Sequence, residues 1–285
     1  MVTRRFVAMI DILGFRRMVQ TLPAEDVVRR VEKLFKHIPK LDIAWGVGGG
    51  NIQEESGITK TAHAQFSDTI LLWTPPIDSC SIYRQDFELQ GLLFATTGAI
   101  FHGFLNGLPL RAGVAFGECY INKRTQTYVG QAIVDAYSTE RQQDWIGGAL
   151  HPSCDGRVAH RTDFKNVVMP YSVPVKPGST IAITYALNWP ETAHSSVRVN
   201  RRKYGVSVRN LLRQALQEHL ASEIPESVNL KYKNTAAFIE DSLRSGVLYW
   251  LNSARRFRRR QRQLRARKAR ARKARARKAR ARKAR

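Results

Sequence analysis

Arg5-Phe-Val-Ala-Met-Ile-Asp-Ile-Leu-Gly-Phe15 is the stretch on which the fold turns. Phe6 to Leu13 is an apolar run holding one carboxylate, Asp11. Leu13-Gly14-Phe15 follows at once, and a basic, amphipathic segment begins there. The spacing predicts a buried strand that turns tightly into a helix. A carboxylate in such a run is costly unless a cation or hydrogen-bond donors meet it. A second run has the same form, Phe66-Ser-Asp68-Thr-Ile-Leu-Leu-Trp73. Two acids on two apolar strands can converge on a metal ion. Backbone amides after Gly14 can cradle phosphate at a helix start. The plainer alternative is that Asp11 caps the helix and Asp68 sits in a turn.

Outward from that stretch, Pro23 to Ile38 has helical spacing, with Val27, Val31, Leu34, Phe35 and Ile38 on one face. Leu41 to Trp45 is a short strand candidate. Gly46-Val-Gly-Gly-Gly-Asn51 reads as a hairpin loop, since it matches neither nucleotide-binding glycine pattern. Thr59 to Ala64 and Phe66 to Trp73 form two arms of a sheet, and Pro75-Pro76 ends the second. Asp86 to Leu105 is a helix candidate. Leu108 to Glu118 is a strand with small residues at Gly113 and Gly117. Asn122 to Thr127 is a hairpin tip, and Gln131 to Trp145 is a helix. Shorter strand-like pieces occupy Arg157 to Tyr185, and Asn188 to Asn200 is a loop. Two helices are expected at Val206 to Ser222 and Lys231 to Asn252.

The chain has 285 residues, 43% of them hydrophobic, and a formal net charge of +24. That charge is uneven. Of 47 basic residues, 19 lie between Arg255 and Arg285 with no acid among them, leaving 28 against 23 acidic ones in the rest. The body is therefore only mildly basic. From Arg265 the pentad Arg-Ala-Arg-Lys-Ala repeats four times and ends at Arg285. Its cations repel one another at helical spacing, so the tail alone is expected to be largely disordered. It can neutralise phosphates of nucleic acid or an acidic membrane, or be a repeat-slippage product with no role. Cys80, Cys119 and Cys154 are odd in number and far apart, which argues against a disulfide framework and fits a reducing cytoplasm. No apolar run is long enough to span a bilayer. Asp11 and the lack of a small-residue cleavage site argue against a signal peptide. His151 and Cys154 are half of a metal site at most.

Four pieces line up in order: Asp11 to Phe15, Ser67-Asp68, Arg111-x-Gly113-x-x-x-Gly117-Glu118, and Gly130-x-x-Ile133-x-x-Ala136-x-x-x-Glu140. Over residues 5 to 145 this resembles the class III nucleotide cyclases. The resemblance implies an α+β, ferredoxin-like catalytic domain that works as a homodimer with a shared active site. It places Asp11 and Asp68 on the two metal-binding aspartates and the Ile12 carbonyl beside them. Leu13, Gly14 and Phe15 would hold the β- and γ-phosphates, and Arg111 would meet the triphosphate. Two Mg²⁺ or Mn²⁺ ions per site are implied. The domains expected are 1–186 (catalytic), 187–253 (helical appendage) and 254–285 (low-complexity tail).

The departures are equally informative. The last helix of such enzymes carries an Asn and an Arg four residues apart, and those positions here are Val134 and Ser138. Arg141, one turn on, is the substitute expected. The adenine-reading Lys and Asp fall on Ala64 and Thr127. A pocket without purine-reading groups discriminates a purine poorly. The pattern looks most like the Pycsar pyrimidine cyclases of bacterial anti-phage defence, which convert UTP or CTP to the 3′,5′-cyclic monophosphate for a separate effector. UTP is favoured on family frequency alone. The alternatives are a purine cyclase, and a non-catalytic cyclase-like scaffold whose tail binds nucleic acid. No Gly-Gly-Asp-Glu-Phe hairpin of a diguanylate cyclase occurs.

Overall fold

The computed structural model describes residues 1–35, 61–159, 164, 166–193, 207–220, 225–226 and 228–245. The expected strand at Leu41 to Trp45, the glycine loop at 46–51 and the basic tail lie outside these residues.

An α+β fold with a mostly antiparallel sheet results. β1 (Thr3–Ile12) is followed by α1 (Phe15–Thr21) and α2 (Ala24–Phe35). Next come β2 (Ala62–Phe66), β3 (Thr69–Trp73), α3 (Ile82–Leu105) and β4 (Leu110–Asn122). The sheet order β2-β3-β1-β4, every pair antiparallel, is the ferredoxin-like arrangement of a split β-α-β unit. Beyond β4 the chain forms β5 (Thr127–Val129), α4 (Gln131–Gln142) and β6 (Gly147–Leu150), with β6 parallel to β4. A short helix α5 (Asp155–Val158), β7 (Val168–Pro170), β8 (Tyr185–Leu187) and α6 (Val208–Leu220) complete the labelled elements. β8 and β7 extend the sheet past β6.

β1 is buried on both faces because it is central. Its even residues Phe6, Ala8, Ile10 and Ile12 are 0–1% exposed, as are Ile70 and Leu72 of β3. α3 packs along β1, β3 and β4. Ser81 caps it by accepting from the Arg84 amide, and its largely apolar sequence buries Leu89, Leu92, Leu93 and Ile100. It begins four residues earlier than the sequence pattern predicts, because that cap lies at Ser81.

On the odd face, α4 lies against β1 and β4. Val7, Leu71, Trp73, Ala115, Cys119, Ala132 and Ala136 form its core. Gly113 makes the approach possible: a Cβ there would sit 2.1 Å from the Ala136 carbonyl oxygen. α4 stops at Gln142, short of the predicted Trp145, which is instead buried against Phe238 at 4.6 Å between ring centroids. Residues 189–193, predicted as loop, are helical.

The chain divides into two compact units, Met1–Glu240 and Asp241–Arg285. Within the first unit, described segments after residue 186 are tied to the sheet. α6 packs on α3, and His219 Nε2 lies 2.8 Å from the Phe104 carbonyl oxygen. The Thr235 hydroxyl accepts from the Ile146 amide at 2.8 Å. Within the second unit, residues 241–245 are helical. Among the described residues, no helix is long and apolar enough to cross a membrane.

Candidate active site at the end of β1

β1 delivers Asp11 at its carboxyl end, on the odd face. Asp68 stands in the two-residue connection between β2 and β3, after Ser67 with φ 57°. The turn reading of Asp68 is thus right in location. That turn is what brings it to β1: the Asp68 carbonyl accepts from the Ile12 amide at 3.0 Å, and Asp11 pairs with Thr69. Asp68 stands opposite Ile12, one residue from the Thr69 that faces Asp11, and its charge is felt at Asp11. Both acids are half-buried. Asp11 does not cap α1. The N-cap is Gly14, in left-handed geometry at φ 72°, with no side-chain cap.

Burial pushes the Asp11 carboxyl above its ordinary value. The Asp68 charge pushes the same way, while Arg111, Arg141 and Lys176 oppose it. Two neighbouring carboxylates of this kind form an all-oxygen donor pair suited to a hard divalent cation. Mg²⁺ in particular needs only one or two protein carboxylates, with water and substrate phosphates completing its shell. Among the described residues no cluster of three or more His, Cys, Asp and Glu could hold a metal by itself. The donor set fits an ion that arrives with a phosphorylated substrate.

The turn at Gly14 is narrower than the sequence implies. The Leu13 amide is spent on the Pro109 carbonyl at 2.8 Å, and the Ile12 amide on Asp68. The Leu13 amide therefore cannot hold phosphate as expected. Gly14 and Phe15, at the helix start, carry amides with no intrahelical acceptor.

Arg111 departs further from expectation. It is the cross-strand partner of Asp11, yet its side chain is 7% exposed and bonds Glu140 Oε1 through Nε at 2.6 Å. Its Nη1 donates to the Gln143 carbonyl at 2.9 Å. Burial raises the Glu140 pKa, opposed by Arg111. Gly113 lies against Ala136, Thr139 and Glu140, and Gly117 against Ala132. The third and fourth sequence pieces are thus two sides of one strand–helix seam. Arg111 is occupied there by protein groups and acts on Asp11 through its charge.

Arg141 is exposed. Its Nη1 donates to the Tyr137 hydroxyl at 2.7 Å, and the guanidinium lies 5.5 Å from that ring's centroid. Lys176 was not legible as a site residue. It sits in the proline-rich loop before β8, and its Nζ donates to the Arg141 carbonyl at 2.6 Å. Only the fold shows that its charge reaches Asp11. Glu140 was visible as a motif position but not as the partner of Arg111. Val134 and Tyr137 are exposed on α4, at 55% and 45%. Ala64 packs against the α4 core cluster, and the Thr127 hydroxyl lies 2.9 Å from that of Thr125. His151 Nδ1 lies 2.9 Å from the Ser153 hydroxyl, and the Cys154 thiol faces the Val114 carbonyl at 3.8 Å. Both are structural, and burial pushes the Cys154 thiol up to about 12.

Neither a protein-family model nor a curated protein matches the sequence. Three solved structures illustrate what the chain is similar to in shape. The adenylyl cyclase CyaB from P. aeruginosa is 14% identical, with 66% of this chain and 94% of that one covered and a TM-score of 0.44. The catalytic core of a rhodopsin-guanylyl cyclase with converted specificity, in complex with ATPαS, is 13% identical over 65% and 94%, at 0.47. The guanylate cyclase domain of RhGC from Catenaria anguillulae, in complex with GTP, is 14% identical over 65% and 96%, at 0.44. Likenesses this distant carry no functional argument, and the site's own residues must supply it.

Proposed function

We propose that this chain is a nucleoside-triphosphate cyclase acting on a pyrimidine nucleotide, UTP or CTP, to give the 3′,5′-cyclic monophosphate and pyrophosphate. The observation that carries the reading is the bond from the Ile12 amide to the Asp68 carbonyl, which brings Asp68 to the end of β1 where its charge acts on Asp11, directly before the Gly14 turn. Those two acids would hold Mg²⁺ or Mn²⁺. Bound there, the ions lower the pKa of the 3′-hydroxyl and neutralise the leaving pyrophosphate. The protein's own groups do the rest. The Gly14 and Phe15 amides receive phosphate oxygens. Arg111, held by Glu140, fixes the charge beside Asp11 so that the acid remains an acceptor. Lys176 and Arg141 add positive charge where the triphosphate would lie.

The base preference rests on what Ala64 and Thr127 lack, since neither is the Lys or the Asp that would read an adenine edge. Val134 and Tyr137 form an exposed apolar strip on α4 that suits burial in a homodimer. A cyclic nucleotide made this way is a signal for a separate effector, in keeping with an anti-phage second-messenger role.

The test uses the purified full chain with Mn²⁺ and each of the four NTPs in turn. Cyclic product is identified by mass spectrometry and pyrophosphate release is followed in parallel. Cyclic UMP or CMP is expected, and it should vanish in Asp11→Ala and Asp68→Ala with far-UV circular dichroism unchanged. A purine product would move the base assignment. No cyclic product from any of the four would remove the enzyme reading and favour the scaffold, which the engagement of Arg111 with Glu140 already accommodates.

A further inference from the structure

The opposite side of the same turn faces a cavity of about 900 Å³. Ile12 lies on the even face of β1, away from Asp11, and it lines this cavity with Leu13 and Gly14. The other walls come from α1, α2, the α3–β4 connection, α6 and the helical residues 228–232. Its size lies within the range of small-molecule sites. Phe104, Leu108 and Val228 are among its apolar lining groups. Among the lining residues Arg17, Arg30, Lys33 and Lys231 stand with a single acid, Glu218, and Arg17 and Lys33 have interactions of their own besides. Lys231 also bonds Asp144 at 2.9 Å, and Arg30 Nη1 lies 3.5 Å from the Gly107 carbonyl. His219 adds no charge at neutral pH, since burial lowers its pKa. Cations on an apolar, half-enclosed wall focus a field that favours an anion with an apolar body.

We propose that this cavity binds a small organic anion, one acidic group on an aromatic or aliphatic frame. Its occupancy bears on the Leu13–Gly14 turn from behind. The binding half stands on the cavity alone. The regulatory half, that the occupant alters nucleotide turnover, rests on the cyclase reading.

The full chain is titrated with 1-anilinonaphthalene-8-sulfonate, an aromatic sulfonate, and with neutral N-phenyl-1-naphthylamine. Saturable binding of the sulfonate at one site per chain is expected, with the neutral probe at least tenfold weaker. Arg17→Glu and Lys33→Glu, both at exposed positions, should each weaken sulfonate binding at least tenfold. Arg16→Glu makes the same charge change on α1 outside the lining, and it should leave binding within twofold. Equal affinity across all three variants, or equal affinity for both probes, overturns the site. For the regulatory half, saturating sulfonate should change wild-type turnover at least twofold and leave that of the Arg17→Glu/Lys33→Glu double variant unchanged. Turnover that ignores the probe, or responds equally in both proteins, overturns the coupling. A chain with no turnover at all would count against the cyclase reading while the titration still decides the site.

Discussion

Asp11 and Arg111 are opposite each other across β1 and β4, yet they stand in different kinds of place. Asp11 is half-buried beside a second acid, and burial and Asp68 both disfavour its charge. Arg111 is nearly fully buried, with Nε on Glu140 and Nη1 on a carbonyl. One position is left in tension and the other is satisfied. Sequence motifs give both equal weight, and the coordinates separate them. An acid held against its preference beside a like charge is the kind of group that functional sites concentrate. A base with its hydrogen bonds made holds a helix to a strand.

The sharpest way to break this contrast is to mutate both ends. Asp11→Asn keeps shape and removes charge. Turnover should fall on the order of 10²–10³-fold or more, while thermal stability holds or rises, because the lost charge was disfavoured. Arg111→Ala should do the opposite first, stranding Glu140 as a buried unpaired charge at a cost of about 3–5 kcal/mol. The double variant Arg111→Met/Glu140→Leu removes both charges and should recover most of that loss in a denaturant titration. If Arg111→Ala instead leaves the denaturation midpoint untouched and only abolishes turnover, the contrast is wrong and Arg111 belongs to the substrate.

Two glycines sharpen it further, because each is required for a different reason. At Gly113 a Cβ would meet the Ala136 carbonyl at 2.1 Å and the Glu140 amide at 2.6 Å, both backbone atoms. Gly113→Ala must push α4 off β4, at about 1–3 kcal/mol or more. Gly14 has open space around it but φ of 72°. Gly14→Ala meets no neighbour and pays only for the left-handed backbone, about 1 kcal/mol. Equal destabilisation of the two in matched denaturant titrations would mean that α4 is not seated as closely as the coordinates place it.

These positions also explain what could be read in advance. The strand from Arg5, its glycine turn and the Ser-Asp hairpin were legible because a continuous apolar run and a forced turn leave marks in a few consecutive residues. Gly113 and Gly117 were visible as small residues, but the helix they admit lies up to 27 positions on, and no local pattern names a partner at that distance. The Arg111–Glu140 pair was hidden for the same reason, since its residues are 29 apart. Lys176 could not have been found. Its place beside Arg141 depends on how a proline-rich loop returns over α4. The helix at 189–193 was masked by Pro190, which is tolerated in a first turn where its missing N–H costs nothing.

His219 supplies the smallest effect and tests the satisfied kind of position by titration. Its Nε2 lies 2.8 Å from the Phe104 carbonyl and so donates, and its Nδ1 lies 3.2 Å from the Tyr232 hydroxyl, which can donate to it. That arrangement uses the neutral ring. Burial lowers its pKa, and the Phe104 bond only partly offsets this. The sign follows. Above the ordinary histidine value of about 6.5, neither folded nor unfolded chain is protonated there, and the contribution of His219 to stability is complete. As pH falls below that value the unfolded chain binds the proton first, and stability drops until pH passes the lower folded value. His219→Gln, which titrates nowhere in this range, should flatten the loss of melting temperature between pH 7.5 and 5.5. An unchanged slope would show that the imidazole carries a proton in the folded chain. It would then count as a fifth cation on the cavity wall behind Gly14, and sulfonate binding there should strengthen as the pH is lowered.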